Sequence, residues 1–147
     1  MKLYQLVYVS DATQAMTAPS LEAMVARCRH NNDERNISGL LLHSRGHFIQ
    51  LLEGHEPVLG NLFAKIKDDP RHHQVELLHF GPAQRRLFPK WRMGLLNLDK
   101  SDALDRARFK PFVAGLTKLQ SGEAIIAMLR EFRGQLANAG NAQNQAA

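Results

Sequence analysis

The sequence predicts an α+β sandwich in which a five-stranded mixed sheet carries two helices on one face. Its 147 residues are the length of one compact domain with a short appendage. Short apolar runs that alternate like strands are interrupted by two stretches of helical periodicity. No run approaches the roughly 18 consecutive apolar residues that span a bilayer, so we expect no membrane segment.

The first strand is predicted over residues 2–9, where alternation puts Tyr8 on one face with two other bulky side chains. Residues 11–19 are predicted to form a loop. Ser20 is then expected to cap a helix that runs to about residue 30, because apolar residues recur there at helical spacing. The two asparagines that follow are expected to end this helix.

Two apolar runs, residues 38–43 and 47–53, flank the turn Ser44-Arg45-Gly46. This pattern is typical of a β-hairpin. A second helix is predicted over residues 57–68, because Pro57 suits a first helical turn and the apolar residues after it form one stripe.

Residues 74–80 and 91–96 are predicted as the fourth and fifth strands, separated by a basic loop over 81–90. The resulting order, β-α-β-β-α-β-β, is typical of a ferredoxin-like sandwich, which we place over residues 1–98. One sheet with two helices covering a single face is therefore the expected architecture.

A helical extension is predicted over residues 99–137, as a pair of helices at 101–118 and 122–137. The second helix carries an apolar seam that includes Ile125 and Leu136. We expect this pair to lie on the other face of the sheet or to build an oligomer contact. The tail, residues 138–147, has little apolar bulk and is expected to be disordered.

The charge is concentrated, since residues 84–110 hold eight cations and three anions and so account for the whole formal net charge of +5. Such a stretch fits nucleic acid, an acidic partner or anionic lipid, and the simpler interpretation is a solvated basic face. Cys28 is the single cysteine, which excludes an internal disulfide and favours a reducing, cytoplasmic setting.

Familiar catalytic motifs are absent from the sequence. It contains neither a phosphate-binding loop nor G-x-G-x-x-G, and no serine nucleophile elbow. The seven histidines do not show the spacing of a zinc site, so we expect no metal site.

Polar residues in apolar surroundings are the informative ones. Gln50 shares a strand face with Phe48 and Leu52, so a core on that face would bury an amide. Leaving a buried amide unpaired costs about 1–3 kcal/mol, and the hydroxyl of Tyr8 has the same need. A Gln–Tyr hydrogen bond that only closes a polar core is the alternative explanation.

Six short blocks occur in the order and near the spacing of one known family. They are LVYVS with Tyr8, RHNN at 29–32, NISGLLL at 36–42, FIQLLEG at 48–54, DDPRHH at 68–73 and RRLFPKWRMG at 85–94. Through this ordered set the chain resembles the BLUF domain, a flavin-binding sensor of blue light, over about residues 1–98. Ser38 stands where the family often has threonine, which keeps a hydroxyl there.

The resemblance implies a non-covalently bound flavin, FAD or else FMN or riboflavin, inserted between the two helices. It implies hydrogen bonds from the Asn31 and Asn32 amides to the polar edge of the flavin. The remaining contacts that it implies are apolar walls from Met24, Ile37, Phe48 and Ile66, and cations toward the phosphates from Lys65, Arg71 and His72.

The resemblance also implies a mechanism. Tyr8 would donate an electron and a proton to the excited flavin, and the Gln50 amide would end up rotated or tautomerised, which shifts the absorption to the red. Trp91 and Met93 are expected to share one face of the fifth strand, and one or the other would approach Gln50. The signal would then reach the C-terminal helices and a separate downstream protein, with no output enzyme in this chain and with homo-oligomers as in other short members.

The sequence is compatible with one other function and argues against a second. A non-photoactive regulatory or interaction domain on the same fold would use the basic loop to bind a partner or nucleic acid, and would be colourless with salt-dependent binding. An acyl-phosphate hydrolase of the same fold needs an arginine in the loop after the first strand, and residues 11–19 contain none.

Overall fold

The computed structural model describes residues 2–97 and Ala127, and its seven elements follow the predicted order. They are β1 (Leu3–Ala12), α1 (Ala18–Glu34), β2 (Ser38–Ser44), β3 (His47–His55), α2 (Glu56–Asp68), β4 (His72–Pro82) and β5 (Gly94–Asn97). The five strands form one sheet in the order β4-β1-β3-β2-β5. Because β2 and β5 are parallel and the other three pairs are antiparallel, the predicted mixed sheet is confirmed.

The first helix is longer than predicted at both ends. Thr17, not Ser20, is its N-cap: Thr17 Oγ1 accepts from the Ser20 N–H, and Ser20 Oγ accepts from the Thr17 N–H, which together form a capping box. The helix does not end at its asparagines. It ends where Asn36 takes a left-handed conformation with φ of 55°, so Asn31 and Asn32 lie in its last turns.

The hairpin between β2 and β3 is confirmed. Arg45 and Gly46, the two residues of the turn, have positive φ values of 51° and 79°. Two successive positive φ values are those of a type I′ turn, whose twist matches that of the flanking strands.

The fifth strand differs most from the prediction. It begins at Gly94, so Trp91 and Met93 precede it and their predicted alternation on one strand face is wrong. The Gly39 N–H donates to the Trp91 carbonyl at 2.9 Å outside any strand ladder, and Met93 and Trp91 turn to opposite sides of the sheet.

Two apolar cores lie on the two faces of the sheet. The helix-side core contains side chains from both helices together with Leu6, Tyr8, Leu41, Phe48, Leu52 and Met93. The loop-side core is closed by Leu87 and Phe88, and by the half-buried Trp91, which stacks on Phe88 with ring centroids 4.7 Å apart. The segment between β4 and β5 is therefore a structural cover for the second face of the sheet.

Gly39 is required where β2 pairs with β3. A Cβ atom at this position would lie 2.0 Å from the carbonyl oxygen of Leu51, a distance that no side chain tolerates.

Ala127 is described and is helical. The other residues of the predicted helices over 101–118 and 122–137, including the seam from Ile125 to Leu136, and the predicted tail lie outside the described residues. Within the part of the chain that the structure describes, neither helix combines the length and the apolar character needed to cross a bilayer.

Candidate functional site

A cavity of about 330 Å³ opens on the helix side of the sheet. Both helices and the strands β1, β2 and β3 contribute to its wall. Most of the wall is apolar, formed by Met16, Met24, Cys28, Leu41, Phe48, Leu52, Leu62 and Ile66. A mainly apolar cavity of this size with a few polar groups is typical of a cofactor site.

Tyr8 and Gln50 are direct partners across the β1–β3 ladder, and both line the cavity. The Tyr8 hydroxyl donates a hydrogen bond to Gln50 Oε1. Each residue is only 5% exposed. Burial raises the pKa of Tyr8 above its ordinary value, so the phenol keeps its proton and remains a donor.

The other end of the same amide faces Met93. Gln50 Nε2 donates to Met93 Sδ at 3.3 Å. A thioether sulfur accepts hydrogen bonds but has no proton to donate. The amide therefore has one orientation that satisfies both neighbours, with Oε1 toward Tyr8 and Nε2 toward Met93.

The last turns of α1 bring three polar side chains to the cavity and to the segment before β5. Asn32 Nδ2 donates to the Arg92 carbonyl at 2.6 Å, and Arg29 Nε donates to the Met93 carbonyl at 2.9 Å. Asn31 lines the cavity, and no hydrogen bond joins its amide to another residue within the described ranges. One amide is thus engaged with the segment and the other is available to a ligand.

Five charged or titratable side chains line the cavity: Arg35, Lys65, Asp69, Arg71 and His72. All except Arg35 lie in the last turn of α2 or directly after it, and these four form the charged end of the cavity. Arg71 binds Asp69 through both Nε and Nη2, and these hydrogen bonds lower the pKa of Asp69 to about 2. Asp69 raises the pKa of Arg71 in return. The ion pair with Asp69 holds the Arg71 guanidinium in a fixed position beside the cavity.

His72 is held from two sides at the same end of the cavity. Its Nδ1 lies 3.0 Å from Ser10 Oγ, and its Nε2 is within hydrogen-bond distance of the Ile66 carbonyl. With both ring nitrogens engaged, its orientation is fixed by the protein.

Three of the residues singled out from the sequence do not line the cavity. Ile37 is fully buried in the helix-side core, and Met93 reaches the site through its hydrogen bond with Gln50. Trp91 packs against the loop-side core, on the other side of the sheet.

Sequence reasoning missed seven lining residues: Met16, Cys28, Arg35, Leu41, Leu52, Leu62 and Asp69. Part of the signal was present. Cys28 and Leu62 belong to the apolar stripes of the two helices, and the register of Gln50 leads to Leu41, its partner on β2. Met16 and Arg35 carry no pattern that would have pointed to them.

The donor set fits a flavin. Its amides offer donors and acceptors for the polar edge of a ring, its apolar walls suit the ring faces, and its cations suit a phosphate-bearing tail. In residues 2–97, by contrast, no three His, Cys, Asp or Glu side chains gather in a group that could hold a metal ion.

Comparison with known proteins agrees with this chemistry. A family model described as sensors of blue light using FAD matches residues 3–94. The photoactivated adenylate cyclase subunit beta of Euglena gracilis is 38% identical over 92 residues, which are 62% of this chain and 11% of the cyclase. The blue light- and temperature-regulated antirepressor of Escherichia coli K12 is 34% identical over 80% of this chain and 29% of its own length.

A solved structure extends the comparison to a protein of similar length. The dark-state structure of BlrB, described as a BLUF protein, superimposes with a TM-score of 0.73 at 27% identity, over 92% of this chain and 98% of that one. The chain spans only about a tenth of the length of the cyclase relatives, at 11% of the Euglena protein.

Proposed function

The chain belongs to the BLUF family of blue-light sensors, whose cofactor is FAD, and on this basis we propose that Tyr8 and Gln50 form its light-driven switch. The observation that carries the proposal is the continuous hydrogen-bonded row from the Tyr8 hydroxyl through the Gln50 amide to Met93. Tyr8 and Gln50 line the cavity, and Met93 lies behind them. Because only one orientation of the Gln50 amide satisfies the hydrogen bonds to both neighbours, the buried row has a defined resting state.

The residues that would hold FAD are those that the cavity brings together. The Asn31 amide would bind the polar edge of the ring, and Asn32, whose Nδ2 binds the Arg92 carbonyl, would bind it through Oδ1. Met24, Phe48 and Ile66 would lie against the faces of the ring. Lys65 and Arg71, with His72 near them, would face the phosphates, where cations form charge-assisted hydrogen bonds. When bound, FAD supplies the absorption of blue light and an excited state that takes up an electron.

Tyr8 is suited to give and recover an electron. Its phenol is oxidisable, and its raised pKa keeps the proton on Oη at rest. The Tyr8 hydroxyl donates its hydrogen bond to Gln50 Oε1. Gln50 Oε1 is therefore the atom nearest to the proton when the proton leaves the hydroxyl.

Gln50 can then change partners because an amide has both a donor end and an acceptor end. Rotation of the amide would place Nε2 next to Tyr8, and tautomerisation would place an O–H there. Either change turns the atom facing Tyr8 into a donor. Rotation also brings Oε1 against the Met93 sulfur, which cannot donate, so the resting contact at 3.3 Å must break.

The output would leave through the segment before β5. Met93 contacts Gln50 through its side chain and Arg29 through its carbonyl, so displacement of Met93 disturbs α1 as well as the start of β5. We propose that a separate signalling protein reads this change, with no output enzyme in this chain. Relatives named as a cyclase and an antirepressor show two kinds of output for such a domain.

The test is the absorption spectrum of the purified protein, first in the dark and then after blue light. We expect a structured flavin band that shifts to longer wavelength and returns in the dark. A bound flavin whose band does not shift would contradict the switch. A colourless protein that takes up no added FAD would favour an interaction domain.

A further inference from the structure

Glu53 is a fully buried carboxylate on the loop side of the sheet, at 0% exposure. Both of its oxygens accept hydrogen bonds from backbone amides, at 2.6 Å from the Leu87 N–H and 2.9 Å from the Phe88 N–H. Gln5 Nε2 donates to it at 2.9 Å and Ser38 Oγ at 3.5 Å. Every partner is a donor, which is the set that an ionised carboxylate satisfies.

Arg86 completes this cluster. It donates to Ser38 Oγ at 2.8 Å and to the backbone carbonyl of Glu53 at 3.0 Å. Burial lowers the pKa of Arg86, and the nearby Glu53 carboxylate opposes that effect. A charge this deeply buried is costly unless it is paired and hydrogen-bonded, so the cluster fixes the start of the covering segment in one place.

Glu53 follows Gln50 by three residues on β3, so the two side chains point to opposite faces of the sheet. Each contacts one end of the same segment, residues 87–93. Glu53 binds the backbone at Leu87 and Phe88, and Gln50 binds the side chain of Met93. Trp91 lies between these ends, with its ring stacked on Phe88 and its carbonyl bound by the Gly39 N–H.

We propose that Glu53 is a positioning residue of the photoswitch: by fixing residues 87 and 88 it returns Met93 to Gln50 after each light response. The inference rests on the proposed function, since it assigns Glu53 a part in the recovery of that switch. The backbone at the Met93 end is held by Asn32 and Arg29, so fixing residues 87 and 88 constrains the segment from both sides. Met93 then samples few positions and meets Gln50 again quickly. Without the hydrogen bonds from Glu53 to residues 87 and 88, the segment spends less time with Met93 near Gln50. Dark recovery of the red-shifted state is therefore slower.

The experiment uses the full-length, FAD-loaded protein and the variant Glu53→Gln, which keeps the side-chain size but places an NH₂ donor among donors. We expect the red shift to persist and dark recovery to slow by about three- to tenfold, the equivalent of one lost net hydrogen bond. Hydrogen exchange in the dark should show the Leu87 and Phe88 amides exchanging about tenfold faster than in the wild type.

Gln5→Met is the matched control, because it removes another buried partner of the same carboxylate and leaves both loop amides bound. Its recovery and its loop exchange should stay within about twofold of the wild type, even where its melting temperature falls. If Glu53→Gln does not fold, Glu53→Asp replaces it, since the shorter carboxylate cannot reach both amides.

Recovery of the Glu53 variant within twofold of the wild type would overturn the inference, as would equal slowing in Gln5→Met. These failures are distinct from failure of the proposed function. A wild-type protein that binds FAD without any red shift removes the photoswitch itself, and the positioning role with it.

Discussion

Tyr8 and Met93 bind opposite ends of one amide, that of Gln50, and Met93 cannot take over the donor role of Tyr8. Tyr8 can donate or accept through its hydroxyl, whereas the Met93 sulfur can only accept. This asymmetry gives the Gln50 amide a preferred orientation in the dark. Reversing the amide would lose the hydrogen bond from Nε2 to the Met93 sulfur.

Gln50→Leu removes both hydrogen-bonding ends of the amide and puts an apolar side chain of similar size in its place. We expect FAD binding without a light-induced red shift, and a loss of about 1–3 kcal/mol of unfolding free energy because the buried Tyr8 hydroxyl is left unpaired. Absorption spectra and denaturant titration measure the two effects. Gln5→Met, which removes the buried glutamine of the opposite face, should retain the shift; a normal shift in Gln50→Leu would contradict the switch.

Tyr8→Phe removes the hydroxyl and keeps the ring, whose centroid lies 5.7 Å from that of Phe63. We expect FAD to bind and the photocycle to be lost, because phenylalanine has neither an ionisable proton nor an easily removed electron. Spectra before and after blue light are the measurement. A shift of wild-type size and lifetime in this variant would exclude Tyr8 as the donor.

The pH dependence has a definite sign. Burial raises the pKa of folded Tyr8 above the value of about 10 that it has when unfolded. A group whose folded pKa is raised contributes stability that is complete below the unfolded pKa and is lost as the pH rises beyond it. The wild type should therefore lose thermal stability above about pH 10 more steeply than Tyr8→Phe, while the amplitude of the red shift stays constant from pH 7 to 9. Parallel melting curves for the two proteins would refute this.

Met93 and Trp91 should differ in effect because they lie on opposite sides of the sheet. Met93→Leu removes the acceptor of the Gln50 amide, and we expect a recovery several-fold slower with a displaced dark band. Trp91→Phe keeps a ring to stack on Phe88, so its recovery should stay within about twofold of the wild type. Flash spectroscopy of both variants decides; the reverse ranking would place Trp91 in the switch.

The charged end of the cavity predicts how FAD is held. Arg71→Ala should weaken FAD binding about tenfold at low salt, and less at high salt, because salt screens a charge at an exposed rim. Lys67→Ala, in the last turn of α2 but outside the cavity wall, is the control and should change affinity little. If the two substitutions weaken FAD binding equally, the positive charges attract FAD in general and Arg71 makes no specific contact with it.

The order of the elements could be predicted because each strand and helix carries its own apolar period. The hairpin was equally accessible, since Gly46 marks a turn of positive φ. The end of α1 was not, because the capacity of asparagine to end a helix is used at Asn36 and not at the earlier pair. The rule that asparagine ends a helix was correct, but it applies at Asn36 and not at Asn31 and Asn32.

The segment before β5 shows why part of the site escaped prediction. Alternation holds only inside a ladder, and Trp91 and Met93 stand outside one, so the rule put both side chains on one face when they lie on two. Glu53 escaped for a related reason. A glutamate near the end of a strand is typical of solvent exposure, and the partners that bury it are backbone amides of a loop 34 and 35 residues further along the chain.

The short β5 strand carries leucines for both faces, with Leu95 packed toward the helices and Leu96 in the loop-side core. A slip of one residue against β2 would send each leucine into the wrong core, so this strand can keep its register or lose it and has no intermediate position. Small displacements of the preceding residues must therefore be absorbed before Gly94. We expect a larger displacement to shift the whole β5 strand against β2 in one step, because no intermediate register keeps both leucines buried.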